Sequence, residues 1–245
     1  MADHAHHDHD HGPAPEGLDD LDDLDDIVRR GDPDRWLASR LIADPAARAD
    51  VIALLAFDLE LARAPRRASN ALIGEIRLTW WREALDEIFG EGPVRRHPTA
   101  LALAEVARRH RLAREDLEGL IDARYVELDK RLLEPAELAA WARGTAGAVA
   151  RLSARMLDPG GPSDAAAAAG AAWALGQAGR IGLAEAGAAK AASRQALAEH
   201  RRAPRASPAS FPAAAHAALA ARSPGEGGAF GRQARLLWAT LRGRV

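Results

Sequence analysis

The run from Asp50 to Phe89, DVIALLAFDLELARAPRRASNALIGEIRLTWWREALDEIF, constrains this chain more than any other stretch. It reads as two helices with a break at Ala64-Pro65, because Pro65 lacks an amide hydrogen and its ring pushes the preceding residue out of helical geometry. Ser69 or Asn70 caps the next start, since their side-chain oxygens accept from amides left unpaired in a first turn. In the second helix Leu78, Trp81, Leu85 and Ile88 recur with helical spacing along one face. Ile73, Ile76, Trp80 and Ala84 line another, leaving Glu75, Thr79, Arg82 and Asp86 on a narrow polar strip. A helix apolar on two sides belongs inside a bundle.

Composition agrees. Alanine and arginine dominate and β-branched runs are nearly absent, so the expected class is all-α. At 245 residues the chain suits one large domain or two small ones. It contains no cysteine, which excludes disulfides and thiolate metal sites. No run of about 18 apolar residues exists, so a membrane-spanning helix is not expected. The net charge of −2 hides an asymmetry: residues 1–26 hold ten acidic groups and no Lys or Arg, leaving 33 basic against 25 acidic groups in the rest. A body with that excess leans toward anionic surfaces.

The first segment, MADHAHHDHDHG, interleaves imidazoles with carboxylates, a composition that binds Zn or Ni weakly but reads first as a disordered polar tail. It lacks the basic and apolar regions of a secretory signal, and its acidity is wrong for a mitochondrial transit peptide. GLDDLDDLDDIVRRGD follows. Leu18, Leu21, Leu24 and Ile27 repeat at threes, so its acids read as the solvated face of a surface helix or tail rather than as a metal site. The expected division is a His/Asp-rich acidic tail over residues 1–30 and a helical domain over 31–245.

Asp32-Pro33 or Asp34 starts a helix through Trp36, Leu37 and Leu41, ending near Asp44-Pro45. After the central pair, closed by Gly90, Gly92 and Pro93, a helix opens at Pro98. Another is expected over Leu112–Arg131, with Leu117, Leu120, Ile121, Arg124 and Leu128 on one face. Pro135 starts one through Leu138, Trp141, Thr145 and Val149 to Leu157. DPGGPSD (158–164) is a linker, Ala165–Ala198 is alanine-rich with glycines that allow close helix approach, and Phe230–Leu241 gives a last helix.

The order AF…E…A…IGEIRLTWWREALDEIFG, then HPTALALAE, LIDARYVEL and WARGTAG, resembles the squalene/phytoene synthase family over about residues 35–185, and within it the branch that includes mitochondrial respiratory complex I assembly factor 6. The resemblance implies a single-domain isoprenoid-synthase-type helical bundle. The catalytic branch joins two prenyl diphosphates head to head, and its leaving group needs Mg ions held by two aspartate motifs facing each other across the bundle. Laid on Ala56-Phe57, the first motif puts its aspartates at Ala62, Arg63 and Arg66. In GAAWALGQAGRIGLAE the second puts Ala174, Gln177 and Ile181 at its glutamine, asparagine and first aspartate, keeps Arg180, and leaves Glu185 at the last aspartate. A cation at Arg63 repels a metal by roughly 4 kcal/mol at about 4 Å and an effective dielectric near 20. No catalytic residue, metal ligand or resident cofactor is therefore expected; Mg would be the cofactor only if the alternative, an active head-to-head prenyltransferase, held.

What the resemblance leaves is a residual ligand pocket of Glu60, Glu75, Arg77, Trp81, Arg124, Glu127, Thr145, Arg180 and Glu185. Arg124 and Glu127 sit in RYVEL, and Thr145 and Gly147 in GTAG resemble the helix kink that lines the family's pocket. The functional reading is a prenyl or lipid phosphate held by guanidinium groups without metal. The competing one is that these arginines pair with Glu60, Glu75 and Glu127 inside the bundle. The expected role is a scaffold or assembly factor, with respiratory-chain subunits as partners by resemblance and no nucleic acid. The expected location is the cytoplasm, with peripheral contact at the inner membrane, and the Arg/Ala bias fits a bacterial source.

Overall fold

The computed structural model describes residues 19–202, 205–220 and 228–242, and every regular element among them is helical. In chain order these are α1 (Asp19–Gly31), α2 (Pro33–Ser39), α3 (Pro45–Arg66), α4 (Ala71–Phe89), α5 (Pro98–His110) and α6 (Arg114–Asp122). A 3-10 stretch, Tyr125–Asp129, leads to α7 (Pro135–Ala142), a wide turn over Arg143–Gly147, and α8 (Ala148–Leu157). Then come α9 (Asp164–Ala178), α10 (Ala186–His200), the short α11 (Phe211–Ala215) with a 3-10 turn over His216–Leu219, and α12 (Gly228–Arg242).

Two helices organise the rest. α3 is packed by α1, α4, α5 and α8, and α9 by α8, α10, α11 and the Arg143–Gly147 turn. Along α3 every residue from Asp50 to Leu59 is buried, so it has almost no solvent face. Its own Leu54, Phe57 and Leu61, with Leu24, Leu78, Leu85, Leu103, Leu117, Leu120, Ile121 and Leu152 around it, are inaccessible and form the main core. Each such side chain contributes about 1.5–3 kcal/mol by leaving water. The α9 side is built from alanine instead, with Ala166, Ala169 and Ala172 buried. Gly170 makes that packing feasible, because a Cβ there would lie 2.3 Å from the Ala146 carbonyl oxygen.

Caps follow the sequence where a short polar residue precedes the helix. The Asp44 carboxylate accepts from Ala46 N and Ala47 N, both at 3.2 Å, and Pro45 fills the first helical position. Asn70 Oδ1 accepts from Ile73 N at 3.0 Å.

Several expectations are corrected. Pro65 does not end α3; the helix runs one residue further, to Arg66. A proline in the last turn removes only one backbone bond, and here it is buried in the packing of the helix pair, so the helix absorbs it. On α4 the second apolar face is not core: Ala84 is buried, but Ile76 is 58 % exposed. Leu112–Arg131 is not one helix, since α6 stops at Asp122 and a tighter 3-10 stretch carries Tyr125–Asp129. The helix expected from Pro135 to Leu157 is broken at Thr145 (φ −102°, ψ −106°), the kink anticipated in GTAG.

The expected tail over residues 1–30 also loses its C-terminal part. α1 begins at Asp19, and Leu24 and Val28 are fully buried in the main core. Their i, i+4 spacing makes an apolar stripe that α3 covers. Nor are all its acids merely solvated: Asp25 Oδ2 accepts from Trp36 Nε1 at 2.8 Å and Asp25 also pairs with Arg40. The His-rich segment lies outside the described residues.

Candidate functional site

Asp58 sits at the centre of the bundle with its side chain essentially inaccessible. Arg124 Nη2 reaches Oδ1 at 2.5 Å and Arg35 Nη2 reaches Oδ2 at 2.7 Å. Each arginine has a second acid: Arg35 pairs with Asp32, and Arg124 Nη1 donates to Glu127 Oε1 at 2.7 Å. Glu127 also accepts from Trp141 Nε1 at 2.8 Å and from Arg66 Nε at 3.1 Å. The result is an alternating chain, Asp32–Arg35–Asp58–Arg124–Glu127–Arg66, threaded through an apolar interior. Burial opposes ionisation of Asp58, but the Arg124 and Arg35 guanidiniums outweigh it and hold the carboxyl at about 2. Glu127 shows the same balance: burial raises it, and Arg124, Arg66 and the Trp141 indole bring it below its ordinary value.

Above this chain lies a cavity of about 190 Å³ between the start of α2, the C-terminal half of α3, the kinked turn and α9. Local structure explains each wall. Asp32 caps α2 by accepting from Arg35 N at 3.1 Å, which brings the acid and the arginine to one end of a short helix. The Thr145 hydroxyl donates to the Trp141 carbonyl at 2.8 Å, one turn back along the chain, at the kink. Arg35 also lies 4.9 Å from the Trp173 ring centroid. Five arginines (35, 66, 124, 180 and 232) line the cavity against Asp32, Asp34 and Asp58. Burial lowers Arg180, with Asp34 and Asp32 opposing, and raises Asp34, with Asp32 adding to the rise. Arg180 makes no ion pair with any described residue. Gln177 Oε1 is buried there without a hydrogen-bond partner. A concave site with more guanidinium than carboxylate charge suits a small anion.

The residues expected to share one pocket divide between two. Arg124, Thr145 and Arg180 line the central cavity, with Glu127 behind them in the ion-pair chain. Glu60, Arg77 and Trp81 line a separate cleft between α3 and α4. Glu75 and Glu185 are exposed and line neither. Direction around the helix explains the division: Ala62 and Arg66, about one turn apart, face the central cavity, while Arg63, about 100° round the helix from Ala62, pairs with Glu60 at 2.6 Å toward the other side. Of the expected pairings, Arg124–Glu127 is made, and neither Arg77 nor Arg180 has an ion pair among the described residues. Asp32, Arg35, Asp58 and Arg66 were missed as site residues. A signal existed for Asp58, the one acid before Glu60 in an otherwise apolar run from Val51 to Leu61.

The residues present do not fit a Mg cluster. Ala62, Arg66, Ala174, Gln177 and Ile181 face the cavity where the resemblance calls for acids and amides, and Asp32 and Asp58 are already held by arginine. Among the described residues no three of His, Asp or Glu are placed to hold a metal ion.

Comparison with known proteins gives the same fold. A dehydrosqualene synthase solved with a ligand superposes with a TM-score of 0.72 at 16 % identity, covering 93 % of this chain and 97 % of that one. Squalene synthase HpnC from Alicyclobacillus acidocaldarius superposes with a TM-score of 0.62, also at 16 % identity, over 94 % and 97 %. In sequence the chain is 34 % identical to NADH dehydrogenase (ubiquinone) complex I, assembly factor 6, of Bos taurus over 107 residues, 43 % of this chain and 31 % of that protein. With the Homo sapiens protein of the same name it shares 31 % over 121 residues, 49 % and 35 %. The matches thus span about a third of the length of these curated relatives. The squalene/phytoene synthase family model matches residues 28–184, from the second half of α1 through the turn after α9. This chain belongs to the squalene/phytoene synthase family.

Proposed function

We propose that this protein is a catalytically silent squalene/phytoene synthase homologue that acts as a scaffold or assembly factor for respiratory complex I. Its central cavity holds a prenyl or lipid phosphate through arginine, without metal. The observation that carries this is the content of the facing surfaces of α3, α9 and the turn after α9: Ala62, Arg66, Ala174, Gln177 and Ile181, above the Asp32 and Asp58 carboxylates already spent on Arg35 and Arg124. Ionising a diphosphate requires neutralising its charge as it leaves, and this chain offers cations to bind the anion but, of the acids lining the cavity, only Asp34 outside an ion pair, too little to gather a metal cluster. The assembly role rests on the named relatives, and the protein acts in the cytoplasm at the inner-membrane periphery. No helix among the described residues is long and apolar enough to cross a membrane.

The competing reading is an active head-to-head prenyltransferase. Purified protein incubated with farnesyl or geranylgeranyl diphosphate and Mg yields no C30 or C40 product; either product overturns the proposal. Farnesyl diphosphate in EDTA raises the melting temperature, and Arg180→Ala reduces the rise. For the scaffold role, a pull-down from native membranes recovers respiratory-chain subunits, and recovery of none counts against it.

A further inference from the structure

The α3–α4 cleft is a second, separate site. α3 and α4 touch where Phe57 meets Trp81 edge-on, ring centroids 5.1 Å apart. They touch again at Gly74, where a Cβ would lie 3.4 Å from the Pro65 Cα. Most of the stretch between these contacts is open, a cleft of about 570 Å³, three times the central cavity and within the range of ligand pockets. Its wall is apolar and its rim cationic. Trp80 and Trp81 form the wall with Ile76, a large apolar side chain left 58 % exposed.

Arg67, just past the end of α3, and Arg77, on α4, stand exposed and form no ion pair with a described residue, whereas the neighbouring Arg63 is neutralised by Glu60. His97 closes the end, its Nδ1 buried without a partner. The wall is also preorganised. Trp80 packs edge-on against Trp81 at 4.9 Å and His97 at 5.3 Å, and the Arg95 guanidinium lies 4.4 Å from its ring centroid. Arg95 is itself fixed by two hydrogen bonds to Glu87, at 2.7 and 2.9 Å. Little ordering remains to oppose binding.

We infer that this cleft binds a single-chain anionic amphiphile, with the charged head between Arg67 and Arg77 and the chain along Ile76 and Trp80. Two free guanidiniums favour a phosphate or carboxylate head through charge-assisted hydrogen bonds. The Trp and Ile surface takes the chain, where a free phosphate ion would find nothing to bury. The site stands apart from the central cavity and does not depend on the function proposed for it.

The test is calorimetric titration of the full chain, without detergent, with dodecyl phosphate below its micellar concentration. Dodecanoate, inorganic phosphate and dodecyl maltoside serve as further probes. Dodecyl phosphate binds saturably, with dodecanoate weaker; the uncharged maltoside does not bind at the same concentration, and inorganic phosphate at that concentration does not displace dodecyl phosphate. Arg67→Ala/Arg77→Ala and Ile76→Glu each weaken dodecyl phosphate by roughly tenfold or more. All three residues are exposed, so the variants keep the fold, and circular dichroism verifies it. Arg180→Ala, in the other cavity, leaves the affinity unchanged. Absence of dodecyl phosphate binding overturns the inference. So does binding that survives the double variant made in the Arg180→Ala background, or binding lost in Arg180→Ala alone.

Discussion

Asp58 illustrates what one carboxylate does when the surrounding helices leave it no water. Its two oxygens serve two arginines from different parts of the chain, and each arginine is then balanced by a second acid. Removing one member of such a set leaves buried charge without a counter-ion, a loss of about 3–5 kcal/mol. Asp58→Asn is therefore expected to lower the urea-denaturation free energy by that amount at pH 7. A loss below about 1 kcal/mol would mean that water reaches the Arg35–Asp58–Arg124 chain. The same residue shows why acid type and position alone mislead: Asp58 lies close to the family's metal-binding positions, yet arginine occupies both of its oxygens.

At the level of elements, helical periodicity and capping chemistry are local and were legible. Asn70 and Asp44 cap where their residue types predict, and α4 buries Leu78, Trp81 and Leu85 as their spacing requires. The fate of α4's other face was not legible, because nothing within the helix distinguishes an apolar stripe that meets a neighbour from one that lines a cleft. α1 failed for the converse reason: its acids dominate its composition, but Leu24 and Val28 find a buried surface on a helix tens of residues away. Leu24→Ala is expected to cost about 2–5 kcal/mol, measured by the same denaturation, the range for deleting a fully buried leucine side chain. An effect near zero would return α1 to the surface. Gly170 was legible as a residue that permits approach, but only the packing names what approaches it, the Ala146 carbonyl.

Across the whole molecule, the buried titratable groups set how stability responds to acid. His216 is enclosed with Arg35 nearby, and burial together with that charge brings its pKa from 6.5 to about 3. The folded form keeps it neutral while the unfolded chain takes up a proton below about 6.5, so stability falls as pH drops from about 6.5 toward 3. His200 and His97, lowered by burial as well, push in the same direction. Asp58, held at about 2 against an ordinary 3.8, adds a second loss only below about 4, as its carboxylate protonates. Denaturation midpoints taken from pH 7 to 4.5 are expected to decline, with His216 contributing a slope approaching 1.4 kcal/mol per pH unit. His216→Gln is expected to flatten the curve, and an unchanged slope would refute the assignment.

Read alone, the sequence determined an all-helical bundle, its family, and the absence of acids at the first metal motif and at all but Glu185 of the second. These depend on residue type at fixed spacing, which survives without any knowledge of what packs where. Tertiary structure alone decided which charges meet: Asp58 and Arg124 are 66 residues apart, Arg66 and Glu127 61. It alone divided one expected pocket into a small arginine-lined cavity and a larger tryptophan-lined cleft. The reason is physical: a helical period specifies direction around one axis, whereas burial, pairing and cavity shape are set by the distances between axes.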